Sequence, residues 1–151
     1  MISIVLRQYK GVHLLVISLM LIGCSVEPVP IEYGLDACHF CKMNIVDKQY
    51  AAEFVTQKGK VYKFDAIECM VQELNTRDIT SIGLFLVTDY QQPGVLTDAK
   101  QCSYLKSSSM PSPMGADLTA FSSEMMAQKT LGDNHGEVFN WDVLLQKYNV
   151  P

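Results

Sequence analysis

Two cysteines, Cys38 and Cys41, lie in the run Cys38-His39-Phe40-Cys41-Lys42-Met43. Cys-X-X-Cys on a turn lets two thiolates reach one ion, and soft sulfur donors favour Cu(I), Zn or iron–sulfur chemistry. Met43 tilts the choice to Cu(I), because a thioether is a poor ligand for Zn and a good one for Cu(I). Met114 stands in a proline-stiffened stretch, Met110-Pro111-Ser112-Pro113-Met114-Gly115, and is expected to complete or gate the same site. Cys69 is a third sulfur ligand candidate. Cys102 is expected to fill core, and His39 and His135 are read as surface or hydrogen-bonded histidines rather than ligands. The competing readings of Cys38-X-X-Cys41 are a thiol-disulfide redox pair and a structural disulfide or zinc site.

These residues need elements to hold them. Residues 50–56 and 60–64 read as a hairpin turning at Lys58-Gly59, and residues 82–88 as a further strand. Asp65 is expected to cap a helix in which Ile67, Met70, Val71 and Leu74 form a core-facing stripe. Cys69 falls opposite that stripe at about 100° per residue, among polar side chains. A free cysteine is usually buried, so Cys69 is expected either to face the loop of residues 38–43 or to pack on another surface. Residues 89–100 and 107–109 are loops by composition. Met70, Met125 and Met126 sit in helical stretches where core filling is the default.

The chain also shows an internal echo. Gly59-Lys60-Val61-Tyr62-Lys63-Phe64-Asp65-Ala66-Ile67 recurs as Gly136-Glu137-Val138-Phe139-Asn140-Trp141-Asp142-Val143-Leu144, 77 positions on. Met43 and Met114 pair at an offset of 71. The second copy is expected to place strands at 117–121 and 138–141 ahead of a helix capped by Asp142. The fold class is therefore α+β, two tandem units related by duplication, over residues 36–88 and 102–150 of a domain spanning 36–150. What both copies keep reads as scaffold: Asp65 and Asp142 as caps, Phe64 and Trp141 as core aromatics. The positions that match Cys38, Cys41 and Cys69 carry no sulfur in the second copy, so these three cysteines are candidates for function.

At the N-terminus, Arg7 and Lys10 precede an apolar run over residues 12–22. That run is short for a transmembrane helix, which needs about 20 apolar residues; with its basic start it reads as an export signal over residues 1–23. Leu21-Ile22-Gly23-Cys24 resembles the bacterial lipobox, which implies cleavage before Cys24 and lipidation of its thiol. Residues 24–35, with Pro28 and Pro30, are expected to form an extended tether that holds the domain about 30 Å off the membrane. Ser25 after the lipid cysteine resembles the outer-membrane sorting pattern, which implies the periplasmic face of that membrane. Removing the signal takes Arg7 and Lys10 away and moves the formal charge from −4 to −6, which disfavours nucleic acid as a partner. No serine nucleophile motif, phosphate-binding glycine loop or zinc-hydrolase helix is present in the sequence, so no enzymatic activity is expected.

Taken together, Cys38-X-X-Cys41-X-Met43, Phe64-Asp65-Ala66-Ile67-Glu68-Cys69-Met70, Pro113-Met114-Gly115 and Ala120-Phe121 resemble the NosL family of nitrous oxide reductase accessory lipoproteins. The resemblance implies two ββαβ units and a Cu(I)-binding chaperone. It further implies delivery of copper for the metal centres of nitrous oxide reductase, in partnership with an ABC-type membrane maturation complex or the reductase itself. Carried over by position, Cys38, Cys41 and Met43 form the metal loop. Lys42 departs from the family, which often has glycine there. A side chain at that position gives up glycine's freedom at positive φ and sets a cation beside the thiolates.

Overall fold

The computed structural model describes residues 25–132 and 135–151; the expected export signal over residues 1–23 and the expected lipidation site Cys24 lie outside them. The hairpin comes first: β1 (Ala52–Thr56) and β2 (Val61–Phe64) pair antiparallel, with Phe54 opposite Tyr62 and Ala52 opposite Phe64. Gly59 closes the turn at φ 77°, a conformation that costs glycine nothing. β3 (Ile82–Thr88) pairs on the other side of β1, with Phe54 opposite Phe85, and β4 (Leu96–Asp98) extends the sheet to the order β2-β1-β3-β4. Alternation then sorts the strand residues: Phe54, Tyr62, Phe64, Phe85 and Val87 are buried in the core, while Glu53 and Lys63 share the opposite face.

Helix α1 (Ile67–Leu74) lies between β2 and β3 in sequence. Ile67, Glu68, Cys69, Met70, Val71 and Leu74 are all buried. The helix is thus enclosed on more than the single stripe its periodicity predicts, and burying each large apolar side chain contributes about 1.5–3 kcal/mol. Asp65 does not cap it. The N-cap is Ala66, with no side-chain hydrogen bond, and Asp65 is buried beside the Cys38 turn, its carboxyl pushed up by loss of solvent.

The second sheet has the order β6-β5-β7, from β5 (Ser103–Lys106), β6 (Leu118–Phe121) and β7 (Glu137–Asn140). Helix α2 (Glu124–Leu131) connects β6 to β7, and α3 (Trp141–Lys147) follows. β1-β2-α1-β3 and β5-β6-α2-β7 are therefore two ββαβ runs, each with its first strand central. The expected pairing at an offset of 77 does not match them. It sets β2 against β7, although the place of β2, second in its run and ahead of its crossover helix, belongs to β6. The echo arises because both sites obey one local rule, an alternating strand running straight into a helix. Met43 and Met114 are not equivalent either: one precedes β1 and the other joins β5 to β6. Nor does Asp142 cap α3; Asn140 does, its Oδ1 accepting from the Val143 N–H at 3.0 Å.

Other expectations shift locally. Residues 89–100 contain β4 and lead into a single 3-10 turn, Ala99–Gln101, and Cys102 sits just ahead of β5. Met126 packs in a small cluster, but Met125 is exposed. Phe64 and Trp141 are core aromatics as expected, and the Trp141 ring meets Phe85 at 5.3 Å, joining the two units in one core. The largest departure is the tether. Val26 packs on Gly83, the Val29 N–H donates to Glu53 Oε1 at 3.0 Å, and the Pro30 carbonyl accepts from Lys63 Nζ at 2.8 Å. Residues 25–31 lie across the face of the first sheet opposite α1, because that face offers a buried carboxylate and apolar surface needing cover.

Candidate metal centre

The turn that carries the first two cysteines is pinned at both ends. Ala37 bridges Asn44, the Cys38 N–H donates to the Met43 carbonyl at 2.8 Å, and the Lys42 N–H donates to the Cys38 carbonyl at 3.0 Å. The His39 N–H reaches the Lys63 carbonyl at 2.8 Å, so the turn is stitched to the edge of β2. Closing so tightly forces one residue to positive φ. That residue is Lys42, at φ 67°, the position where a glycine would be free of strain; its ammonium is held by the His39 carbonyl.

Helix α1 brings Cys69 against this turn. The Sγ atoms of Cys38, Cys41 and Cys69 all lie within 4.8 Å of one another. Cys38 and Cys69 are each 1% exposed, while Cys41 is half-buried and opens the cluster to solvent. All are free thiols. Cys38 is pulled down to about 5, chiefly because the Cys69 S–H donates to it, with the backbone N–H groups of Asp65 and Cys41 adding support against the cost of burial. Cys69 is pushed up by the same hydrogen bond and by burial. Cys41 is also raised, first by burial, although the Met43 N–H faces its sulfur. The cluster is therefore a compact group of soft donors able to hold a metal ion, with Cys38 the most readily ionised of the three.

The methionines take different stations. Met114 borders a cleft of about 300 Å³ that it shares with Cys69, Phe40, Glu68, Gln72, Ala116 and Tyr148. Met43 is 48% exposed and joins the site through its backbone. His39 turns away from the thiols: its Nε2 lies 3.5 Å from Glu73 Oε1 and 3.4 Å from the Arg77 guanidinium, and its ring meets Tyr62 edge-on at 4.6 Å. The His135 carbonyl accepts from the Ser107 hydroxyl at 2.8 Å. Cys102 stands apart, its thiol directed at the Asp98 carbonyl at 3.4 Å and raised by burial to about 12. Glu68, one residue before Cys69, is a buried carboxylate that sequence reasoning passed over.

A family model, NosL, matches residues 28–148. The chain belongs to the NosL family. Among solved structures it is similar to the copper chaperone NosL from Shewanella denitrificans, with 20% identity, a TM-score of 0.71, 82% of this chain covered and 98% of that one. The two share the NosL fold. The comparison with curated protein sequences returned no match.

Proposed function

We propose that this NosL-family chain is a membrane-anchored Cu(I) chaperone that carries copper on Cys38, Cys41 and Cys69, with Met114 and Met43 as auxiliary thioether donors. The observation that carries the proposal is the convergence of three thiols within 4.8 Å, one of them open to solvent. Structural zinc prefers four ligands in a closed tetrahedron. Among the described residues this group contains three thiols, and His39 is turned away from it. Cu(I) is content with two or three soft donors, and an open thiol allows ligand exchange with an acceptor. The Cys38 thiolate begins capture, Cys41 is the exposed donor through which an incoming ligand enters, and buried Cys69 closes the set. No turnover chemistry is part of this reading.

The client we propose is nitrous oxide reductase, reached directly or through an ABC-type membrane complex. The motif resemblance supports that client, and the lipobox at Cys24 supports a lipid anchor on the periplasmic face of the outer membrane. The experiment that tests copper carriage is an anaerobic competition of the chain from Ser25 with a coloured Cu(I) chelator, repeated with Zn(II) present and with Cys38→Ser/Cys41→Ser. Retention of one Cu(I), indifferent to Zn(II) and lost in the double variant, is expected; equal retention by the variant overturns the site. The low position of the Cys38 thiol also favours a second reading, thiol-disulfide exchange with Cys41. Catalysed reduction of insulin disulfides would bring that reading forward.

A further inference from the structure

Met114 is carried by the connection between β5 and β6, in the second unit, whereas the three thiols belong to the first. Something must hold the two in register. The link is Glu68. Its Oε1 accepts from the Ser112 hydroxyl and from the Ala116 N–H, the latter at 3.4 Å. The same Ser112 oxygen accepts from the Asp117 N–H at 2.9 Å, and the Ser112 carbonyl accepts from the Gly115 N–H at 3.0 Å, closing the turn that contains Met114. Pro111 and Pro113 fix φ on either side of Ser112, so the loop has little freedom except where Glu68 anchors it. Glu68 is 4% exposed and Ser112 7% exposed.

A helix selected for stability alone would place an apolar residue at such a position, because a buried carboxylate is costly unless fully satisfied. Glu68 is not fully satisfied: among the described residues Oε2 has no hydrogen-bond partner. That cost is tolerated one residue before Cys69, at the wall of the cleft that Cys69 and Met114 share.

We infer that Glu68 and Ser112 are positioning residues for metal capture, which fasten the Met114 turn over the Cys69 side of the thiol cluster; this rests on the Cu(I) reading of that cluster. Neither residue is a ligand. Both act through Met114, and that gives the inference its test. Outer-sphere partners of a metal site typically change affinity by about 10–100-fold when removed. Ser112→Ala, which leaves helix α1 untouched, and Glu68→Ala should each weaken Cu(I) binding by about tenfold in the anaerobic chelator competition. In a Met114→Leu background, Ser112→Ala should cause no further loss, and Glu68→Gln, which keeps the acceptor oxygen, should restore most of what Glu68→Ala loses. In the metal-free chain the Met114 methyl NMR signal, shifted by the Phe40 and Tyr148 rings of its cleft, should move towards its random-coil position in Ser112→Ala.

Equal losses in the wild-type and Met114→Leu backgrounds, or an unmoved Met114 signal, overturn the inference. If the wild-type chain retains no Cu(I), the proposed function falls, and the Met114 signal alone decides whether Glu68 and Ser112 fix the turn.

Discussion

The Cys69 thiol on helix α1 donates a hydrogen bond to the Cys38 sulfur on the turn before β1, and the one contact shifts the two thiols in opposite directions, Cys38 down and Cys69 up. Burial alone would raise both thiols. The hydrogen bond instead favours ionisation at Cys38 and opposes it at Cys69, so Cys38 is the thiol of the cluster that ionises first.

The metal-free protein should therefore show one thiolate per chain appearing with a midpoint of about 5. Ultraviolet thiolate absorbance, followed anaerobically against pH, checks this. Cys38→Ser should abolish the transition, and Cys69→Ala should move it upward by removing the donor. Cys102→Ala should leave it in place, since that thiol is remote from the cluster and raised by burial to about 12.

Copper capture should release protons. Near neutral pH Cys38 has already lost its proton, while Cys41 and Cys69 are both raised and still hold theirs. If all three bind as thiolates, apparent Cu(I) affinity rises with pH by about a decade per pH unit for each proton released. Chelator competition at several pH values reads the slope, and a flat profile would mean that Cys38 alone is ionised in the complex.

The hairpin, the central helix and the Cys38/Cys41 pair were readable in the sequence because each has a local signature: alternation, a 3.6-residue period, a Cys-X-X-Cys spacing. The equivalence of the two units was misread for the same reason. A strand followed by a helix looks alike wherever it occurs, whereas the match of β2 to β6 depends on which strand is central, and pairing is not written in periodicity. Asp65 looked like a cap because Asp commonly is one; its burial beside Cys38 depends on where the Cys38 turn lands. Glu68 left no signal, since a carboxylate on a helix reads as solvated until its neighbours are known.

Lys42 should tolerate glycine better than a branched side chain. At φ 67° a non-glycine residue costs about 1 kcal/mol or more, partly offset by the unfolded-state freedom that glycine adds. Lys42→Gly is expected to change stability by less than about 1 kcal/mol, and Lys42→Val to lose about 2 kcal/mol, as read by urea unfolding.

Glu53 should make the fold less stable as pH rises. Burial in β1 raises its carboxyl from 4.5 to about 7, against the Val29 N–H and Lys63, which favour the charged form. A raised folded value means that its stabilising contribution is complete below about 4.5 and is lost as pH climbs through about 7. Glu53→Gln should remove this dependence and exceed the wild type at pH 8 by on the order of 2 kcal/mol. Denaturant unfolding of the two proteins across that range gives the difference.

Shortening the chain to begin at Glu32 should destabilise it by about 2 kcal/mol or more. That change removes the Val26 contact with Gly83, the Val29 hydrogen bond to Glu53, the Pro30 bond to Lys63 and the packing of Ile31. An unchanged unfolding midpoint would show that the strip of residues 25–31 adds nothing to the fold.

The same strip alters what anchoring at Cys24 would mean. A leash that lies flat against its load has no slack, and only Ser25 separates Cys24 from the packed Val26. An acylated chain would then ride on the bilayer at a set height and attitude instead of sweeping a hemisphere above it. Its meetings with a membrane-bound acceptor become a search in the plane, in which the Cys41 side arrives already oriented and the local concentration of the thiols is set by lateral diffusion rather than by the length of a flexible arm.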